Sequence, residues 1–159
     1  MKADEKKYFP MFVDLTQKKV TVIGAGNIAK RRIETLLSFV GTIEVIAPDA
    51  CEKIKELAKE GRLVWKEKEY DREDLYDADL VLSATNNEKV NNDVYSACKC
   101  LGISVNTASN RMKCDFYFPS ILQKEETVIG LNSAGNPAKT KNVRKEMQKW
   151  IEEAGEKHE

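Results

Sequence analysis

Hydrophobic positions along the chain follow two rhythms. Val20-Thr21-Val22-Ile23, Thr42–Ala47, Leu63-Val64-Trp65, Leu80–Ala84 and Ile103–Asn106 are short apolar or β-branched runs, the mark of strands buried on both faces. Between them apolar residues recur at helical spacing. Ile28, Ala29, Ile33, Leu36, Leu37 and Val40 do so ahead of a stop at Gly41. Ile54, Leu57 and Ala58 do so after Pro48-Asp49, and Val90 to Leu101 is a third such stretch. The acidic span Lys66–Asp79 has no rhythm and reads as a loop. Strands alternating with amphipathic helices require right-handed crossovers, and these build a parallel, doubly wound sheet.

Past about Asn110 the alternation stops. Phe116–Pro119 and Thr127–Leu131 read as an antiparallel strand pair around the charged turn Gln123–Glu126, and Pro137 opens a last helix from Ala138 to about Ala154. The division expected is a sheet domain over 1–113 and a small α+β unit over 114–159. So small a unit cannot bury a core alone, so it must pack on the sheet or against a second copy of the chain.

Composition narrows the chemistry. Lys plus Arg and Asp plus Glu both total 26, so no overall field draws the chain to nucleic acid or to an anionic membrane, and neither is expected as a partner. The single histidine, His158, lies in the polar tail, which excludes a His general base, a Ser/His triad and a His-rich metal centre. No apolar run approaches the about 18 residues of a membrane span, and Met1–Lys7 is polar with no signal-peptide core behind it; a cytoplasmic location follows. Cys51, Cys98, Cys100 and Cys114 suit reduced thiols, and the Cys98/Cys100 pair is C-x-C rather than C-x-x-C, so no metal is expected.

Gly24-Ala25-Gly26-Asn27-Ile28-Ala29 reads G-x-G-x-x-A where a strand turns into a helix. In that context the first glycine permits the tight turn, the second leaves room for a pyrophosphate against the backbone, and Ala29 lets helix and strand pack closely. Phosphates would rest on the N–H groups that open the helix, which makes Gly24, Gly26, Asn27 and Ile28 cofactor candidates and the sheet Rossmann-like. An acid about 20 residues on usually holds the adenosine ribose. The position reads Ile46-Ala47-Pro48-Asp49, so Asp49 is displaced by one or two residues; no Arg or Lys adjoins it, which favours NAD over NADP. Thr85 and Asn86, just past the fourth strand, suit a cofactor's ribose or nicotinamide amide; the segment equally suits a helix cap.

With these motifs in view the chain resembles a known family. Tyr8–Leu15, the G-A-G-N-I-A loop with Lys30-Arg31-Arg32, Leu80–Asn86, Val105–Ser109, Cys114–Pro119 and Asn132–Pro137 fall in the order of the precorrin-2 dehydrogenases of siroheme synthesis, over nearly the whole chain from about Tyr8 to Trp150. These occur alone or as the amino-terminal part of siroheme synthase. The resemblance implies NAD-dependent oxidation of precorrin-2 to sirohydrochlorin and an intertwined homodimer made by the middle portion. In bifunctional members that also insert iron, an Asp stands where this chain has Ser109, so the resemblance favours the dehydrogenase-only branch, with Ser109 in a supporting catalytic role. A polycarboxylate substrate needs cations, and Arg111, Lys113, Lys139, Lys141 and Arg144 are the candidates. The alternatives are a non-catalytic NAD- or tetrapyrrole-binding module and a sirohydrochlorin ferrochelatase using Cys114 or Asp115. The family's carboxyl-terminal helical region has no counterpart before Glu159, as in a natural short form or a piece of a longer chain.

Overall fold

The computed structural model describes residues 8–155, with side chains through residue 152; His158 and the polar stretch 1–7 lie outside the described residues. Five strands, β1 (Lys19–Ile23), β2 (Thr42–Ala47), β3 (Val64–Glu67), β4 (Leu80–Ser83) and β5 (Ser104–Thr107), form one sheet in the order β3-β2-β1-β4-β5. Every pairing in it is parallel. The helices between them are α1 (Asn27–Leu36), α2 (Glu52–Lys59) and α3 (Glu88–Leu101). The chain leaves β1 toward β2 on one side and later returns to β4 on the other, so the strand order reverses beside β1. Ligand crevices open at such a reversal, outside the carboxyl ends of the strands.

Alternation along the strands sends Ile23, Ile46, Val81 and Val105 to one face, where they meet Val94, Ala97 and Cys98 of α3 together with Leu75. Ala29, Ile33 and Leu36 of α1 and Ile54 and Leu57 of α2 are buried as well. Each such Ile or Leu contributes about 1.5–3 kcal/mol relative to exposure, and the set fixes the helix starts around the crevice.

Three local expectations are corrected. First, α1 ends at Leu36 instead of continuing to Val40. The chain tightens there, with the Phe39 and Val40 N–H groups both donating to the Leu36 carbonyl, and it then crosses so close to Thr16 that a Cβ on Gly41 would lie 2.1 Å from the Thr16 oxygen. Second, the acidic span holds an ordered 3-10 turn, Arg72–Leu75. The Asp71 carboxylate accepts from Glu73 N–H (3.0 Å), the Asp74 carboxylate accepts from Asp71 N–H (2.9 Å), and Leu75 is buried beneath them. Third, Phe116–Pro119 is not a strand. β6 (Ser120–Lys124) begins after Pro119, which has no N–H to give a ladder, and pairs antiparallel with β7 (Thr127–Leu131).

The residues before Phe116 have a different task. Cys114 forms a single antiparallel bridge with Asn106 on the outer side of β5. Asp115 N–H donates to the Val105 carbonyl (2.9 Å), the Asp115 carboxylate accepts from Val105 N–H (3.0 Å), and the Asn106 amide donates to the Phe116 carbonyl (2.7 Å).

The chain divides into two compact units, one spanning 13–116 and the other holding residues 8–12 together with 117 onward. In the second, α4 (Pro137–Gly155) lies against the β6–β7 hairpin: Arg144 Nε donates to the Ile121 carbonyl (3.4 Å) and Lys124 Nζ to the Ile151 carbonyl (3.0 Å). The Tyr8 ring meets Tyr117 edge-on at 4.2 Å. Among the described residues no helix is long and apolar enough to cross a membrane.

Candidate functional site

The crevice is lined first by the turn from β1 into α1. Gly24 has φ +101°, and a Cβ there would lie 2.6 Å from the Ala84 carbonyl oxygen, so the turn admits no other residue without moving the start of the β4–α3 loop. Gly26 differs. Its backbone is ordinary extended chain, φ −86° and ψ −168°, and a Cβ would meet nothing within 4 Å. The fold does not need a glycine here, and the space above it is open.

The start of α1 adjoins that space. Among the described residues no side chain accepts from the N–H groups of its first turn, which also carries no acid, and Gly26, Asn27 and Ile28 are exposed. Helix starts leave N–H donors unsatisfied and carry partial positive charge, so this one is complementary to an anion close to the backbone.

Opposite stands the loop after β4. Asn91 of α3, 2% exposed, organises it. Its Oδ1 accepts from the Ser83 hydroxyl (2.7 Å) and lies 3.0 Å from Thr85 Oγ1, while its Nδ2 donates to the Thr85 carbonyl (2.9 Å) and to Ser109 Oγ (3.2 Å). Thr85 Oγ1 also accepts from Asn87 N–H (3.0 Å). One buried amide therefore ties the end of β4, the loop and Ser109 together. Because Ser109 Oγ accepts from Asn91, its own proton is directed to donate; the arrangement suits an orienting group better than a proton acceptor. Asn87 caps α3, accepting from Lys89 N–H (3.0 Å) and Val90 N–H (3.3 Å), whereas Asn86 lies exposed beside it.

Asp49 lies just past β2. Its carboxylate accepts from Ala50 N–H (2.8 Å) and pairs with Lys55 Nζ of α2 at 3.0 Å. The pairing with Lys55, helped by the Ala50 N–H, holds Asp49 below the usual carboxylate range, and Lys55 is raised in return. No cation adjoins Asp49 in the sequence, and the first turn of α2 brings Lys55 back to it. Lys55 Nζ also sits 5.7 Å over the ring of Trp65, whose Nε1 donates to the Ala47 carbonyl (3.0 Å) at the end of β2.

The cationic candidates separate. Arg111 and Lys113 bound a short 3-10 turn capped by Asn110, and Lys113 turns onto α3, bonding the Asn92 side chain over the Tyr95 ring. Lys139, Lys141 and Arg144 are exposed on α4 in the other unit. Arg32, half-buried on α1, bonds the Asn106 side chain, and burial pulls its pKa down. Burial likewise pushes the Cys98 thiol up to about 12, so it stays protonated at neutral pH.

Asn91 and Lys55 were missed in the sequence. Asn91 had a signal: a polar residue on the same helical stripe as Val94 and Cys98, four residues after a cap. Lys55 had none beyond its acid partner six residues before it.

A family model described as "Putative NAD(P)-binding" matches residues 11–120, which include both walls of the crevice. The chain belongs to this NAD(P)-binding family. It is 35% identical over 146 residues to a siroheme synthase of Pseudoalteromonas atlantica, covering 91% of this chain and 32% of that protein. A siroheme synthase of Buchnera aphidicola is 35% identical over 128 residues, covering 80% of this chain and 27% of that protein. The chain thus spans about a third of the length of these curated relatives. Among solved structures, SirC, a precorrin-2 dehydrogenase, superimposes with a TM-score of 0.72 at 26% identity, covering 89% of this chain and 70% of that one. The Rossmann-like sheet is shared with it. The uncapped helix start, the open space at Gly26 and the forced Gly24 turn fit a dinucleotide of this family.

Proposed function

We propose that the chain binds NAD in this crevice and that the protein to which it belongs oxidises precorrin-2 to sirohydrochlorin in siroheme synthesis. The observation that carries the reading is the uncapped start of α1 facing open space at Gly26. The likeness to SirC and to the siroheme synthases supports the choice of substrate.

When bound, NAD supplies an acceptor for the hydride that leaves the macrocycle, and one proton is released. The chain's own residues hold and orient. Gly24 and Gly26 keep the backbone close, the N–H groups of Asn27 and Ile28 receive the phosphates, and Asp49 receives the adenosine ribose. Thr85 and Asn86 line the other end. Ser109, held by Asn91, donates a hydrogen bond to the substrate and positions the reacting carbon, and the acceleration comes chiefly from that positioning. The cations offered to the substrate carboxylates are Arg111 and Lys113 in one unit and Lys139, Lys141 and Arg144 in the other. The unit built on β6, β7 and α4 pairs with a second copy, and the protein works in the cytoplasm.

Gly26→Val tests the cofactor site. A branched side chain would fill the open space without straining the backbone, so NAD affinity should fall at least about tenfold while the unfolding midpoint holds. Equal NAD binding by parent and variant in calorimetry would refute the site. For the reaction, precorrin-2 and NAD are supplied anaerobically and NADH is followed by absorbance. Ser109→Ala should slow oxidation by less than about a hundredfold, and a loss beyond about a thousandfold would show that Ser109 moves the proton itself.

A further inference from the structure

We propose that Lys55 is a specificity-determining residue that opens the dinucleotide site to NADP as well as NAD, exchanging its partner Asp49 for a phosphate on the adenosine ribose. The inference rests on the cofactor reading above and extends it to a second ligand.

An acid past the second strand ordinarily excludes NADP, because a carboxylate faces the 2′-phosphate. Here that exclusion is blunted. Lys55 Nζ lies 3.0 Å from the Asp49 carboxylate, so the corner presents a compensated pair rather than a bare negative charge. The two partners are held unequally. The Asp49 side chain is 84% exposed, so water can take over its solvation once the ion pair opens. The Lys55 side chain is only 33% exposed; its head lies over Trp65, and the indole is pinned to the Ala47 carbonyl at the end of β2. Lys55 is therefore anchored at the corner by something other than Asp49 and remains there when the ion pair opens. A phosphate monoester carries about −1.5 to −2 charges at neutral pH, more than the carboxylate it would replace, and it offers three acceptor oxygens to a three-donor ammonium. Glu52 and Glu67 also act on Lys55, which keeps the ammonium charged and sets a limit on how strongly the corner can favour the extra phosphate.

The test is equilibrium binding by the whole chain at low ionic strength, read by calorimetry and by Trp fluorescence, with NAD, NADP, ADP and 2′,5′-ADP as ligands. The parent should bind NADP within about tenfold of NAD. Lys55→Gln should lower the NADP-to-NAD affinity ratio, and the 2′,5′-ADP-to-ADP ratio, by about fivefold to tenfold, and Asp49→Asn should raise both. Thermal midpoints of the variants establish that they are folded. NAD binding with no measurable NADP binding by the parent would overturn the proposal, as would ratios unmoved by Lys55→Gln, and both leave the cofactor reading standing. If neither dinucleotide binds, the cofactor reading falls and the proposal falls with it.

Discussion

Helices α1 and α3 start side by side, after the adjacent strands β1 and β4, and their first turns are finished differently. At α3 the chain closes its own helix: Asn87 accepts from two backbone N–H groups and Glu88 adds a negative charge to the first turn. At α1 Gly26 offers no side chain, no acid follows, and the donors face open space. The two starts share a rim of one sheet, so the difference lies in the side chains. At α3 the chain supplies its own acceptor; at α1 it supplies neither acceptor nor acid, which leaves the exposed donors to water or to an anionic ligand.

The comparison is broken most severely at the turn that precedes α1. Gly24→Ala sets a Cβ against the Ala84 carbonyl at a φ few side chains adopt, and should cost about 2–4 kcal/mol in urea unfolding. An unchanged midpoint would mean that the β4–α3 loop yields freely. Asn91→Asp comes next. It replaces the donor to the Thr85 carbonyl and Ser109 with a second acceptor inside a buried site, at about 1–3 kcal/mol. It should also slow oxidation as Ser109→Ala does, and a double variant no slower than either single one would place both residues on one path. Asn87→Ala is the smallest, about 1 kcal/mol from the lost cap, with NAD affinity unaltered in calorimetry. A drop in NAD affinity there as large as for Gly26→Val would erase the distinction between the two helix starts.

Much of this could be read along the chain. β2 spans Thr42–Ala47 as its β-branched run predicts, and the G-x-G-x-x-A pattern located the turn whose first glycine is sterically forced and whose second is not. Such features depend on neighbours in sequence, and pattern reports them. The Asn91 network and the Lys55–Asp49 pair depend on which polar side chains meet across loops and helix turns, and periodicity carries no information about that. Phe116–Pro119 has the aromatic β-propensity of a strand but runs straight into a proline, and the ladder starts only after it. In the fold those residues leave β5, where Asp115 and Asn106 bond main-chain groups, and pairing starts only beyond Pro119.

The return of residues 114–116 along β5 has one more consequence. A terminal strand with bare main-chain groups recruits strands from other molecules, and that is how many sheets aggregate. On the β5 side those groups are already engaged by Asp115 and the Cys114 bridge; on the opposite border β3 is only four residues long and carries Lys66 and Glu67. Both margins thereby offer few bare main-chain groups to a strand from another molecule, which disfavours edge-to-edge stacking of the sheet.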